Sequence, residues 1–202
     1  MINKIVNLGD SALYCDFGQE VNKEINSKVI KYFNSVRNSN IEGVTNVTPS
    51  YNKLIISFNL SITNFKKIKK EIEILNIDYE NKIFNKEIQI PVCCENSFSL
   101  DIKRLEKKLN LKREQILEKF FNKKYFCYMT GFIAGMPFLG DLDENMRANR
   151  LETPRVKVPK GSIGLTEQFT NIYTFESPGG WNIIGNTPLN IFNNLNLSLI
   201  HI

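Results

Sequence analysis

The sequence predicts an α+β fold in two parts: a small α+β N-terminal domain over residues 1–86, then a β-barrel domain over residues 87–202. Three observations carry this. Two short apolar runs flank the Gly9-Asp10 turn and lead into a segment with helical spacing, a β-β-α opening. The run KLIISF then supplies β-branched and aromatic residues ahead of a second amphipathic stretch. From Gly131 to Pro188, glycine, proline and short apolar runs replace helical periodicity, the pattern of short strands joined by tight turns. With 202 residues and 42% apolar content, the chain can bury a core without disulfide or metal staples.

Taken in order, residues 2 to 8 and 11 to 17 read as strands, and Glu20 to Val36 as a helix with Val21, Ile25, Val29, Ile30 and Phe33 on one face. Strands follow around Val44 to Val47 and Lys53 to Asn59, and Ile62 to Leu75 reads as the second helix. The second part opens with EIQIPV, which alternates as a strand, then two short helices, Leu100 to Leu109 and Lys112 to Phe121. Ser99 is the expected N-cap of the first.

Composition excludes several classes. Cys15, Cys93, Cys94 and Cys127 form no CxxC pair, so neither a disulfide framework nor a zinc site is indicated, and a reducing cytoplasm is favoured. No metal is expected. The sole histidine, His201, lies at the C-terminal end, which argues against histidine-based triads, dyads and metal sites. The net charge of +5 comes from lysines interleaved with glutamates in helical stretches, read as solvated faces and not as a nucleic-acid surface. No window approaches a membrane span. The ending LSLIHI reads as adapter-derived sequence, with the natural protein continuing further, so Leu197 to Ile202 are set apart from the fold.

Three loops carry the chemistry: GFIAGMPFLG from Gly131 to Gly140, TPRVKVPKGSIG from Thr153 to Gly164, and ESPGGWNIIGNTP from Glu176 to Pro188. Convergence of the three would join glycine backbone N–H groups to Arg155, whose planar fork suits a carboxylate or phosphate. An anionic small molecule is the expected ligand. The residues placed at this substrate- or nucleotide-binding site are Phe132, Gly135, Pro137, Arg155, Ser162, Thr170, Tyr173, Ser177, Gly179, Gly180 and Trp181. Arg155 reads either as the anion-binding group or as a surface ion pair, and Trp181 either as core or as a ligand wall. Asp10 reads as a turn residue in preference to a general base, and Cys93 and Cys94 as buried small hydrophobes. No P-loop or dinucleotide fingerprint occurs.

In this order and spacing, the three loops, together with GDSALYCDFG and TPSYNKLIISF, resemble the family of the 5-oxoprolinase B subunit, also called KipI or allophanate hydrolase subunit 1, the C and D subdomains of a carboxyltransferase. The resemblance covers nearly the whole chain and implies a cyclophilin-like β-barrel for the second domain. It also implies an ATP-dependent lactam hydrolase component, inactive alone, that opens 5-oxoproline to glutamate. The partners implied are the C and A subunits of that enzyme, with ATP shared with or supplied through them. ATP coupling to a stable amide fits activation of its carbonyl oxygen by phosphorylation before water attacks. The other function the resemblance implies is a KipI-like regulatory protein that binds and inhibits a sensor histidine kinase. The chain departs from the family pattern at Ala134, Met136 and Phe138 in the first loop, and at Phe120, where a histidine is common. It departs again at Phe169, Asn171 and Asn186, where glutamine, glycine and arginine are usual.

Overall fold

A computed structural model describes residues 2–77 and 86–192. The segment Leu197 to Ile202, set apart above, lies outside the described residues. The chain divides into two compact units, Met1–Asn85 and Lys86–Ile202.

In the first unit, strands β1 (Lys4–Asn7), β2 (Ala12–Asp16), β3 (Val44–Pro49) and β4 (Lys53–Phe58) form an antiparallel sheet in the order β1-β2-β4-β3. Alternation dictates which face is buried. Leu13 and Cys15 of β2 lie on the core side with Leu54, Ile56 and Phe58 of β4. Helices α1 (Lys23–Asn38) and α2 (Phe65–Ile74) cover them with Val29, Val36, Ile68 and Ile72. Both helices start about three residues later than periodicity alone suggests, because asparagine side chains fix the starts. The Asn22 side-chain oxygen accepts from the Ile25 N–H at 2.9 Å, and that of Asn64 accepts from Lys67 at 3.1 Å. Gly9 takes a positive φ of 63° in the bend between β1 and β2, beside Asp10.

The second unit holds helices α3 (Ile102–Leu109) and α4 (Arg113–Phe121) and strands β5 (Phe126–Thr130), β6 (Pro137–Gly140), β7 (Arg155–Val158), β8 (Ser162–Thr166), β9 (Phe169–Ile172), β10 (Ser177–Gly179) and β11 (Asn182–Asn186). Five strands form an antiparallel sheet in the order β11-β8-β9-β6-β5, and β10 pairs with β7 as a separate ribbon. The expected barrel is not closed among the described residues, because β5 and β11 remain the two ends of an open sheet. The EIQIPV strand is likewise absent. Only Cys93 bridges to Asn186, through backbone bonds of 2.8 and 2.9 Å, and the residues before it join no ladder among the described residues.

Ser99 does not cap α3. Its hydroxyl lies within hydrogen-bond distance of the carbonyls of Cys94 (2.7 Å) and Ile184 (2.9 Å), tying the helix approach to β11. Asp101 holds the cap position without a capping bond, since its carboxylate is committed to the Ile183 N–H and to Arg155. One face of the sheet packs Ile163, Leu165, Ile172 and Ile184 against Ile102, Leu105, Ile116 and Phe120 of the helices. The other carries a smaller cluster of Met136, Val158, Tyr173 and Ile183. Cys93 and Cys94 are half-buried and all four cysteines are free thiols. Burial pushes the Cys15 thiol up to about 12 and Cys127 up to about 11. No described helix is long and apolar enough to cross a membrane.

Candidate functional site

The three glycine-proline loops meet on the second face of the five-stranded sheet. The first is a tight, hydrogen-bonded loop: Gly131 N–H donates to the Met136 carbonyl (3.0 Å), Met136 N–H to the Ile133 carbonyl (3.1 Å), and the Thr174 hydroxyl to the Ala134 carbonyl (2.7 Å). Its tip is a γ-turn, with Ile133 N–H donating to the Gly131 carbonyl at 2.8 Å across Phe132. A φ of 68° puts Phe132 in the left-handed region that side chains disfavour. The residue is 71% exposed. Gly135, also at positive φ, lies against Phe192, and Phe138 meets Trp181 edge-on with centroids 5.6 Å apart.

The second loop supplies Arg155 at the start of β7. Arg155 is neither a surface ion pair nor free: its Nη2 donates to Asp101 Oδ1 at 2.6 Å, with the arginine side chain 27% exposed and the aspartate 5%. Asp101 Oδ2 accepts from the Ile183 N–H at 2.7 Å, so the pair pins β7 and β11 to the start of α3. Arg155 Nη1 remains buried without a hydrogen-bond partner. Asp101 lies 54 residues away in sequence, which left no local signal for this pairing.

The third loop buries Trp181, only 6% exposed, with the Arg150 guanidinium 5.7 Å from the ring centroid. Gly179 pairs with Arg155 in the ribbon, and a side chain on it would overlap the Tyr173 hydroxyl. Gly180 faces Pro154. Tyr173 is buried, and burial pushes its hydroxyl above the usual tyrosine range, against the opposing effects of Asn171, Arg150, the Trp181 backbone and Arg155.

Strand alternation divides the remaining predicted residues between the two faces. Pro137 and Thr170 line a cavity of about 510 Å³ on the helix side, with Leu139, Ile163, Ile172 and Phe120, bordered by Lys86, Glu87, Lys123 and Lys124. The Thr170 hydroxyl donates to the Gly164 carbonyl at 2.8 Å. Ser162 and Ser177 are buried at the starts of β8 and β10. The structure therefore gathers Arg155, Tyr173, Gly179 and Trp181, leaves Phe132 at the loop tip, and turns Pro137 and Thr170 to the opposite side. Among residues not predicted for the site, it adds Asp101, Arg150 and Asn171.

Fold and site together define a carboxyltransferase-like α/β protein in which glycine loops, guanidinium groups and buried amides share one sheet face. The chain belongs to the family described as carboxyltransferase domain, subdomain C and D, matched over residues 3–199. It is 30% identical to the 5-oxoprolinase B subunit of Bacillus subtilis (strain 168), over 94% of this chain and 84% of that protein. A conserved uncharacterized protein, PH0987 from Pyrococcus horikoshii, shares 32% identity and a TM-score of 0.54 over 97% of this chain and 92% of that one. Urea carboxylase of Kluyveromyces lactis shares the fold at 18% identity, with a TM-score of 0.71 over 91% of this chain and 19% of that one.

Proposed function

We propose that this chain is the B subunit of an ATP-dependent 5-oxoprolinase, one component of a complex that opens the lactam of 5-oxoproline with water to give glutamate. The observation that carries this is the end-to-end likeness to a relative of that name. The face holding Arg155, Tyr173 and Trp181 is the part suited to a small anionic substrate, because a partly exposed guanidinium offers a carboxylate a charge-assisted partner.

Among the described residues, the cations of the second loop are already engaged. Arg155 is tied to Asp101, Lys157 pairs with Glu176 at 3.1 Å, and Lys160 donates to Asn190 at 2.8 Å. ATP is accordingly shared with or supplied through the C and A subunits, and the chain alone is inactive. Mixing the purified chain with those two proteins should restore 5-oxoproline-dependent ATP hydrolysis that none of the three shows alone. Robust turnover by this chain by itself, or a mixture that never responds to 5-oxoproline, would refute the assignment.

A further inference from the structure

Asn171 sits in the middle of β9 with 0% exposure, and neither its amide nitrogen nor its amide oxygen has a hydrogen-bond partner. Neighbouring buried polar side chains are satisfied: Thr174 by Ala134, Asp101 by Ile183 and Arg155, Asn182 by Asn149 and Leu165. Burying an unmet amide costs a fold stability, and a central strand position would accept valine or threonine without that cost. The residue is therefore not explained by packing.

Its surroundings define what it could meet. A side chain on Gly164 of β8 would stand 2.6 Å from the Asn171 oxygen and 3.0 Å from the Trp181 Cβ, so the amide lies close over β8 backbone beside the tryptophan. The Tyr173 hydroxyl lies beside the amide, which opposes the rise in its pKa, and links this spot to Gly179, whose ribbon partner is Arg155. Arg155 Nη1 is the other buried, unmet polar atom of this face. Asn171 is fully buried, and Arg155, although its side chain is 27% exposed, keeps Nη1 buried, so the unmet polar atoms of both residues lie within the fold.

A carboxamide offers one N–H donor beside one C=O acceptor. The group that matches both at once is a cis amide, which presents the same pair in reverse, and a small lactam is held cis by its ring. A guanidinium N–H matches a carboxylate. We infer that Asn171 reads the lactam edge of the substrate while Arg155 Nη1 takes its carboxylate. This rests on the 5-oxoproline reading above and assigns substrate recognition to this chain instead of its partners.

Trp181 is the chain's single tryptophan and lies at the site, so its emission reports binding there. The full chain is titrated with 5-oxoproline, with 2-pyrrolidinone (lactam without carboxylate) and with proline (ring carboxylate without lactam), with calorimetry alongside. The wild type should bind 5-oxoproline best and 2-pyrrolidinone more weakly, and should not respond to proline. Asn171→Gly and the shape-matched Asn171→Leu should each weaken 5-oxoproline by about tenfold or more, the size expected when one neutral hydrogen-bonded contact is lost. Unchanged or tighter binding by both variants overturns the inference and makes Asn171 a filler, while the 5-oxoproline reading stands. Binding of 2-pyrrolidinone that depends on Asn171, without binding of 5-oxoproline, keeps lactam recognition and removes that reading. No saturable heat or emission change with any of the three overturns the inference.

Discussion

The two faces of the five-stranded sheet are built on opposite terms. Toward α3 and α4, Ile163, Leu165, Ile172 and Ile184 close an apolar core whose favourable term is burial. On the other face, backbone approaches closely at Gly164 and Gly179, and the space carries Asn171, Tyr173, Trp181 and the Arg155–Asp101 pair. Residues adjacent in β8 and β9 alternate between the two environments, so the apolar core and the proposed recognition face are separated by one step along the chain. Buried groups left unmet are a cost on the second face, and the proposed site would account for its being retained.

Substitutions on either side sharpen this contrast. Leu165→Ala on the helix face should have the largest effect, about 2–5 kcal/mol lost in urea unfolding, because a fully buried leucine leaves a cavity. The comparison breaks if Asn171→Leu on the opposite face costs as much; removing two unmet polar atoms should instead leave stability unchanged or raised.

Asp101→Ala comes next. It strands the Arg155 guanidinium and the Ile183 N–H together, and a loss of about 2–3 kcal/mol is expected, reduced from a fully buried pair because Arg155 is partly exposed. A loss below about 0.5 kcal/mol would make the pair no more than a surface contact. Arg155→Lys keeps the charge but loses the fork. It should impair 5-oxoproline binding more than it lowers the melting temperature, and the reverse order would place Arg155 in the scaffold alone.

Phe132→Gly removes an exposed ring and relieves the left-handed φ, so the midpoint in urea should rise by the equivalent of about 0.5–1 kcal/mol. A fall would show that the ring contributes to folding. The smallest effect lies in the first unit, where hydrogen bonds from Lys53 and from the Gly18 N–H hold the Asp16 carboxyl below the usual range. A depressed folded pKa contributes stability above the unfolded value of about 4, and that contribution is lost as pH falls through the folded pKa. Asp16→Asn should therefore narrow the difference from wild type as pH drops from about 5 to 3. A difference that stays constant across this range would remove the linkage.

Helices and strands of the first unit were legible because their apolar spacing is local: Val29 and Val36, or Leu54 and Ile56, are read against neighbours one or two turns or strand steps away. The glycine-proline loops also announced themselves, since turn chemistry is written in consecutive residues. Their motifs sufficed to identify the family. What the sequence could not carry was any choice made at long range. Whether the second sheet closes depends on pairing between distant strands, and the described strands leave it open. Ser99 had the residue type of a cap, but its hydroxyl is drawn to the Ile184 carbonyl, 85 residues away, and Asp101 is drawn to Arg155. Asn171 was visible as a departure from pattern, yet only the packed sheet shows its amide buried and unmet, because satisfaction of a polar group depends on every neighbour the fold brings to it.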